Sequence, residues 1–224
     1  MYKRQQQDLP FYYASSAATY GLGDQGYSDE HDVVDSLRPL NPYGYSKKYF
    51  DQWILSLKKQ PKTWMGFKFF NVFGPNEYHK EGQRSVVHQA FEQIQEFGEV
   101  KLFKSYNQKF SDGGQLRDFV YVLDCVRAMM NLREKKASSG LYNLGTGIAR
   151  SFSDLAKAVF ESLGKPVKIN YIEMPEQLRD QYQYYTQAEV KKIKYELPNF
   201  TFNDLETSVN DYVKNYLLKP DPYL

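Results

Sequence analysis

A chain of 224 residues, 42% of them hydrophobic, is long enough to bury about 70% of its unfolded surface in one or two domains. A net charge of only +2 gives no reason to expect nucleic acid or a membrane surface as a partner. The single cysteine, Cys125, excludes an internal disulfide and fits a reducing cytoplasm; its plainer role is a small buried side chain in a helix. The first ten residues are polar and charged, unlike a secretory signal, and no apolar run approaches the roughly 18 residues of a membrane span. The expected location is the cytoplasm.

Met1–Leu9 is polar and Gln-rich, and reads as the tail of a helix that runs into a strand over 11–15. That strand is aromatic rather than alternating, as expected of a parallel strand buried on both faces. It ends in Ser15-Ser16-Ala17-Ala18-Thr19-Tyr20-Gly21. Gly21-Leu22-Gly23-Asp24-Gln25-Gly26 matches G-x-G-x-x-G in form only, because the polar loop Tyr27–Asp32 follows where that motif requires a helix. These glycines are expected in a surface turn.

Asn41-Pro42 is an N-cap followed by proline at the first helical position, which starts a helix over 42–59 that Pro61 stops. Tyr43, Lys47, Phe50, Ile54 and Leu57 fall at helical spacing along it. Tyr43 and Lys47 are four apart and share a face. An ammonium beside a phenol favours the phenolate, which makes a tyrosine usable as a base. A hydroxyl from Ser16 at a strand end would complete a Ser/Tyr/Lys proton-transfer site. The spacing alone carries little weight: with 20 Tyr in 224 residues, about two Tyr–Lys pairs arise by chance at any fixed spacing. A solvated i,i+4 pair is the competing reading.

A second strand spans 64–71, and strand–helix–strand alternation points to a doubly wound sheet. Ligands bind beyond the carboxyl ends of such strands, which brings in Ser15, Ser16, Asn71 and Val72; for Asn71 the alternative is a turn before Gly74-Pro75. Next come an amphipathic helix over 85–97 closed by Gly98, a strand over 100–103, and a loop holding Ser105, Asn107, Ser111, Asp112, Gly113 and Gly114. Arg117 opens a strand over 119–122, where it would grip a pyrophosphate or pair with Asp118. A helix over 124–135, a strand over 141–144, a helix over 152–163 closed by Gly164 and a strand near 167–172 follow, then the aromatic run Tyr182–Tyr185 and helices near 187–195 and 203–217. His31, His79 and His88 have no partner at metal-ligand spacing, so no metal site is expected. Lys191, Lys192 and Lys194 read as a solvated helix face.

The blocks SSAATYG (Ser15–Gly21), PYGYSK (Pro42–Lys47) and FFNVFGP (Phe69–Pro75) resemble the extended short-chain dehydrogenase/reductases that act on nucleotide sugars. NEYHK (Asn76–Lys80), LRDFVYVLD (Leu116–Asp124), LYNLGTG (Leu141–Gly147) and YTQAE (Tyr185–Glu189) narrow the resemblance to the ADP-glyceromanno-heptose 6-epimerases. The blocks keep the family order across most of the chain. The resemblance implies an α/β fold: the C-terminal part of a doubly wound, Rossmann-like parallel sheet with a smaller α/β substrate domain. Residues 1–83, with 117–150, would form the dinucleotide-binding part, and 84–116 with 151–224 the substrate-binding part.

It also implies NADP as cofactor, an ADP-sugar as substrate, homo-oligomers in complete family members, and C6 epimerisation through a transient ketone in the supply of heptose for the lipopolysaccharide core. Tyr43 and Lys80 would be the two acid/base groups, Ser16 would orient the oxygen, and Lys47 would bind the nicotinamide ribose and tune Tyr43. Lys47, Val72 and Lys80 would touch the cofactor; Asn71, Phe103, Lys104, Ser105, Tyr106, Arg117 and Tyr182 would hold the ADP-sugar. The stretch between Lys80 and Gln89 departs from the family's substrate-contacting serine and histidine. The family opens with a strand, glycine-rich turn and helix for the pyrophosphate; this chain is expected to begin near the fifth sheet strand, as a fragment of an epimerase. The alternatives are another nucleotide-sugar epimerase or dehydratase, and a non-catalytic remnant that binds an ADP-sugar or a partner subunit.

Overall fold

A computed structural model describes residues 9–179 and 182–223. In chain order the strands are β1 (Phe11–Ser16), β2 (Trp64–Phe69), β3 (Asn71–Phe73), β4 (Val100–Phe103), β5 (Leu116–Arg117), β6 (Phe119–Tyr121), β7 (Gly140–Leu144), β8 (Arg150–Ser151) and β9 (Ile169–Ile172). The α-helices are α1 (Pro42–Ser56), α2 (Val86–Phe97), α3 (Val122–Glu134), α4 (Phe152–Leu163), α5 (Glu176–Arg179), α6 (Lys191–Glu196) and α7 (Leu205–Tyr212). The chain divides into two compact units, each built from three separate segments.

The first unit takes residues up to Phe70, then 126–147 and 187–201. Its sheet is parallel, in the order β1-β2-β7, with Tyr13 opposite Gly66 and Phe67 opposite Tyr142. Every residue of β2 except Phe69 is buried, as befits a parallel strand flanked on both sides. β1 pairs on one side only among the described residues, so Phe11–Tyr13 are half-buried rather than covered on both faces as expected. Val34, Ile54, Trp64 and Leu141 form the apolar centre on the α1 side.

α1 begins where expected, with the Asn41 side chain accepting from the Gly44 amide at 2.8 Å. It stops at Ser56 instead of 59, because Leu57 turns extended and the Gln60 amide takes over the Ile54 carbonyl. Its buried residues are Gly44, Lys48, Asp51 and Ile54, so Tyr43, at 56% exposure, lies outside the core stripe.

The second unit holds 71–125, 148–186 and 202–224. Here β3 runs parallel to β6, β4 parallel to β9, and β5 antiparallel to β8. α4 packs against both α2 and α7 around Val87, Ile94, Leu155, Val159, Val209 and Tyr212. α2 is capped by Ser85 and closed by left-handed Gly98, and α4 by the Ser151–Asp154 capping box and Gly164.

The boundaries differ from those expected. Segments 71–83 and 117–125 belong with the second unit, since Phe73, Phe119 and Tyr121 bury into its core. Segment 187–201 belongs with the first. The strand expected over 64–71 breaks at Phe70, and Asn71 opens β3 instead of a turn. The helix expected near 187–195 is only Lys191–Glu196, because the backbone of Glu189 bonds across to Tyr27 and Asn143. The helix expected over 203–217 is α-helical only to Tyr212 and ends in a π-helical turn, Val213–Leu217. α3 starts at Val122, two residues before its expected start. The helix tail expected over 1–9 lies, but for Leu9, outside the described residues.

Candidate active site

Ser16, Tyr43 and Lys47 all lie in the first unit. Ser16 closes β1 and caps the 3-10 turn Ala17–Tyr20, its Oγ accepting from the Ala18 amide at 3.1 Å. Tyr43 sits in the first turn of α1, at the same end of the sheet. Lys47 Nζ lies 5.7 Å from the Tyr43 ring centroid and donates to the Ala14 carbonyl at 2.9 Å. The lysine thus ties the tyrosine helix to the serine strand, which a merely solvated i,i+4 pair would not do.

Gly44 allows this approach: a Cβ there would stand 2.7 Å from the Ala18 carbonyl oxygen and 2.8 Å from Pro39. An ammonium has three protons and Ala14 takes one. The remainder sits at the carboxyl end of a parallel strand, where such sheets receive a dinucleotide, so the nicotinamide-ribose end of that cofactor fits these residues. The Gly21–Gly26 stretch is a pair of turns and offers no helix N-terminus; Gly21, at φ 61°, presses against the Arg38 carbonyl.

Behind this surface lies a buried polar cluster that the sequence reading missed. Lys68 and Asp51, both fully buried, pair at 2.7 Å. Asp51 also accepts from the Tyr13 and Ser15 hydroxyls, each at 2.8 Å, and Lys68 donates to Thr19 Oγ1 at 2.8 Å. Burial lowers the Lys68 ammonium from its ordinary value and Asp51 opposes that shift, while burial drives the Tyr13 phenol far upward. The available signal was a lysine inside the apolar strand Trp64–Phe69, and an aspartate one further helical step along the Tyr43–Lys47 face.

Lys192 corrects another expectation. It is half-buried, donating to the Asp29 and Leu141 carbonyls at 3.0 and 3.3 Å, unlike exposed Lys191. Asp29 in turn accepts from the Asn143 amide at 2.8 Å.

The remaining candidates lie in the second unit. Asn71 and Val72 stand in β3 opposite Phe119 and Val120. Lys80 is exposed on the 3-10 turn Tyr78–Gln83, its amide bonded to the Glu77 carbonyl. Glu77, another residue the sequence reading missed, is buried. It accepts from the Ser85 amide and hydroxyl, both at 2.6 Å, and from the Tyr212 hydroxyl at 2.9 Å. It therefore anchors both ends of the loop that carries Lys80.

A cavity of about 460 Å³ opens beside β4, lined in part by Val86, Gln89, Phe103, Gln115, Phe152 and Tyr182. Arg117 lies buried between two rings, 5.6 Å from the Phe152 centroid and 5.3 Å from that of Tyr182. Burial raises the Tyr182 phenol and the arginine opposes the rise. The segment after Phe103 is held at each residue. Lys104 pairs with Glu173 at 2.6 Å, Ser105 N donates to Asp112 at 2.7 Å, and the Tyr106 hydroxyl bonds Glu173 beneath the Arg179 guanidinium. The hydrogen bond from Lys104 holds Glu173 below the usual carboxylate range.

Among the described residues no group of three or more His, Cys, Asp or Glu could hold a metal, and no helix is long and apolar enough to cross a membrane. Cys125 is buried and free.

A strand-end serine, a helix-borne Tyr–Lys pair and parallel α/β architecture define a class. The chain belongs to the NAD dependent epimerase/dehydratase family, whose model matches residues 1–145. Within it, the chain groups with the ADP-L-glycero-D-manno-heptose-6-epimerases. It is 48% identical to the enzyme of that name from Fusobacterium nucleatum, over 98% of this chain and 68% of the relative. It is 46% identical to that from Nitratidesulfovibrio vulgaris, over 96% and 66%. The crystal structure of the Helicobacter pylori ADP-L-glycero-D-manno-heptose-6-epimerase superposes with a TM-score of 0.76 at 32% identity, covering 95% of this chain and 61% of that one. The chain therefore spans about two thirds of the length of the relatives it matches. A dTDP-glucose 4,6-dehydratase from Bacillus anthracis shares the fold, with a TM-score of 0.75 at 20% identity.

Proposed function

We propose that this chain carries the residues for C6 epimerisation of an ADP-glycero-manno-heptose, with NADP as the dinucleotide, in the supply of heptose for the lipopolysaccharide core. The observation that carries the reading is the bond from Lys47 to the Ala14 carbonyl, which holds the Tyr43 helix at the carboxyl end of the Ser16 strand. The 48% identity to a curated heptose epimerase supports the choice of sugar, and NADP follows from the resemblance to those enzymes.

A dinucleotide held by Lys47 and the backbone at Val72 would supply the hydride acceptor and donor for C6. Tyr43 accepts the C6 hydroxyl proton as that hydride leaves, and Ser16 hydrogen-bonds the same oxygen. Lys80 supplies the proton to the ketone oxygen in the second substrate orientation, so each group serves one face. Lys47 keeps positive charge beside Tyr43 and reaches the nicotinamide ribose. The backbone at Val72 borders the cofactor, and Asn71 contacts the sugar. Arg117 grips the pyrophosphate, while Phe103–Tyr106 and Tyr182 frame the nucleotide, for which the cavity beside β4 has room.

The test is calorimetric titration of the protein with ADP-heptose, together with chromatographic separation of the two C6 epimers after incubation with NADP. Saturable binding that weakens in Arg117→Ala, and formation of the second epimer, are the expected results. The absence of both binding and conversion would refute the assignment.

A further inference from the structure

Lys68 and Asp51 are the most deeply buried charges of the first unit that the proposed reaction does not use. A buried ion pair is poor value for stability: apolar residues of the same volume often do as well or better. The positions of this pair indicate what else it does. Asp51 lies on α1 one helical step past Lys47, and its two oxygens reach Tyr13 and Ser15, alternate residues of β1. Lys68 reaches from β2 to Thr19 in the turn that Ser16 caps, and stands 5.0 Å from the Tyr20 ring centroid. Strand alternation turns Ser15 toward Asp51 and Ser16 away from it. Gly66 makes the arrangement possible, since a Cβ there would sit 2.4 Å from the Tyr13 ring. Ser15 is thus fastened directly to the helix that bears Tyr43, and Thr19 through Lys68, while the Ser16 hydroxyl is turned to the Ala18 amide of its own turn.

We propose that Asp51 and Lys68 are positioning residues: the pair fixes the carboxyl end of β1 against α1 and so sets Ser16 relative to Tyr43 and Lys47. The proposal rests on the reading of Ser16 and Tyr43 as the proton-handling groups. It requires that an apolar replacement keep the fold and lose the alignment.

The experiment compares the parent protein with Asp51→Leu/Lys68→Met, Lys68→Arg and Thr19→Val. Amide hydrogen exchange is followed over 14–20 and 140–144, alongside kcat and KM for ADP-heptose. In the double variant, exchange over 14–20 should quicken at least tenfold while 140–144 keeps its protection. Its kcat should fall at least tenfold with KM within twofold, whereas Lys68→Arg, which keeps a cation on Asp51, should hold exchange and kcat near the parent values. Parent-like exchange over 14–20, or a uniform rise across both segments, would overturn the proposal. If the double variant does not fold, Thr19→Val decides. It removes the tie from Lys68 to the serine turn together with the bond from the Thr19 hydroxyl to the Ser16 carbonyl, and unchanged exchange over 17–20 would sink the idea. Should the parent convert no ADP-heptose, the functional reading fails by itself and the exchange comparison still judges the positioning.

Discussion

Removing the Glu77 side chain tests whether one buried carboxylate holds the loop that presents Lys80. Glu77 accepts three hydrogen bonds: two from Ser85, the cap of α2, and one from Tyr212, which is fully buried. Glu77→Ala orphans these donors, at about 1–3 kcal/mol each where water cannot reach. Ser85 is half-buried and hydrates in part, and Tyr78 lies close enough to Tyr212 to recover part of its bond. A net loss of about 3–5 kcal/mol follows, or a fall in melting temperature of about 6–20 °C for a chain of this size. Glu77→Gln keeps an acceptor for the Ser85 amide, and its NH2 group can donate to the two hydroxyls. It loses only charge assistance, about 1–2 kcal/mol. Tyr212→Phe, which removes one bond, should fall between them or match Gln. Thermal unfolding followed by circular dichroism ranks the three. An Ala variant that melts within about 2 °C of the Gln variant would mean that these bonds do not anchor the loop.

Other outcomes follow from the same geometry. Tyr43→Phe and Lys80→Met should each slow epimerisation by about 10²–10⁴-fold while ADP-sugar still binds; parent-rate turnover in Lys80→Met would end the two-base assignment. Arg117→Ala should raise KM for the ADP-sugar more than it lowers kcat, since the proposed pyrophosphate contact would be made in ground and transition states alike; an unchanged KM, measured beside wild type, removes it from the proposed binding residues. His31 accepts from the Leu141 amide at 3.2 Å, and burial, with Lys192 adding to it, lowers its pKa. The unfolded chain then binds more protons just below pH ~6.5, so stability is full above that pH and drains as pH falls toward the depressed folded value. His88 is lowered too and acts with the same sign; melting from pH 7.5 to 5.5 should therefore slope less in His31→Gln than in the parent, and parallel slopes would refute the share assigned to His31.

What could be read without coordinates were features whose cause is local. The starts of α1 and α4 are written in Asn41-Pro42 and in Ser151 with Asp154, and Gly98 and Gly164 mark ends because helices close in the left-handed region. Tyr43, Lys47 and Ser16 were singled out through motif blocks, and the Lys47–Ala14 bond is a tertiary contact that their spacing could not foretell. The misreadings have tertiary causes. Glu189 satisfies its backbone on Tyr27 and Asn143, far away in sequence, so no helical pattern foretold that 187–190 stay unwound. Lys192 has the composition of a surface lysine but reaches two distant carbonyls. Asp51, Lys68 and Glu77 each draw partners from separate segments, and single residue types give no hint of such convergence.

The interleaving of the two units has a kinetic consequence. β2 needs β1, which is synthesised before it, and β7, which is synthesised only after the 71–125 segment of the other unit has emerged. The second unit likewise waits for α7, since Val209 and Tyr212 belong to its core. Neither unit can finish on a nascent chain while the other is still untranslated, and parallel strands so far apart in sequence are slow to pair. The apolar strand Trp64–Phe69 keeps the edge that β7 will cover unpaired for that interval. It is the segment on which a chaperone would act first, and a slowed ribosome should lower the yield of folded protein by lengthening that exposure.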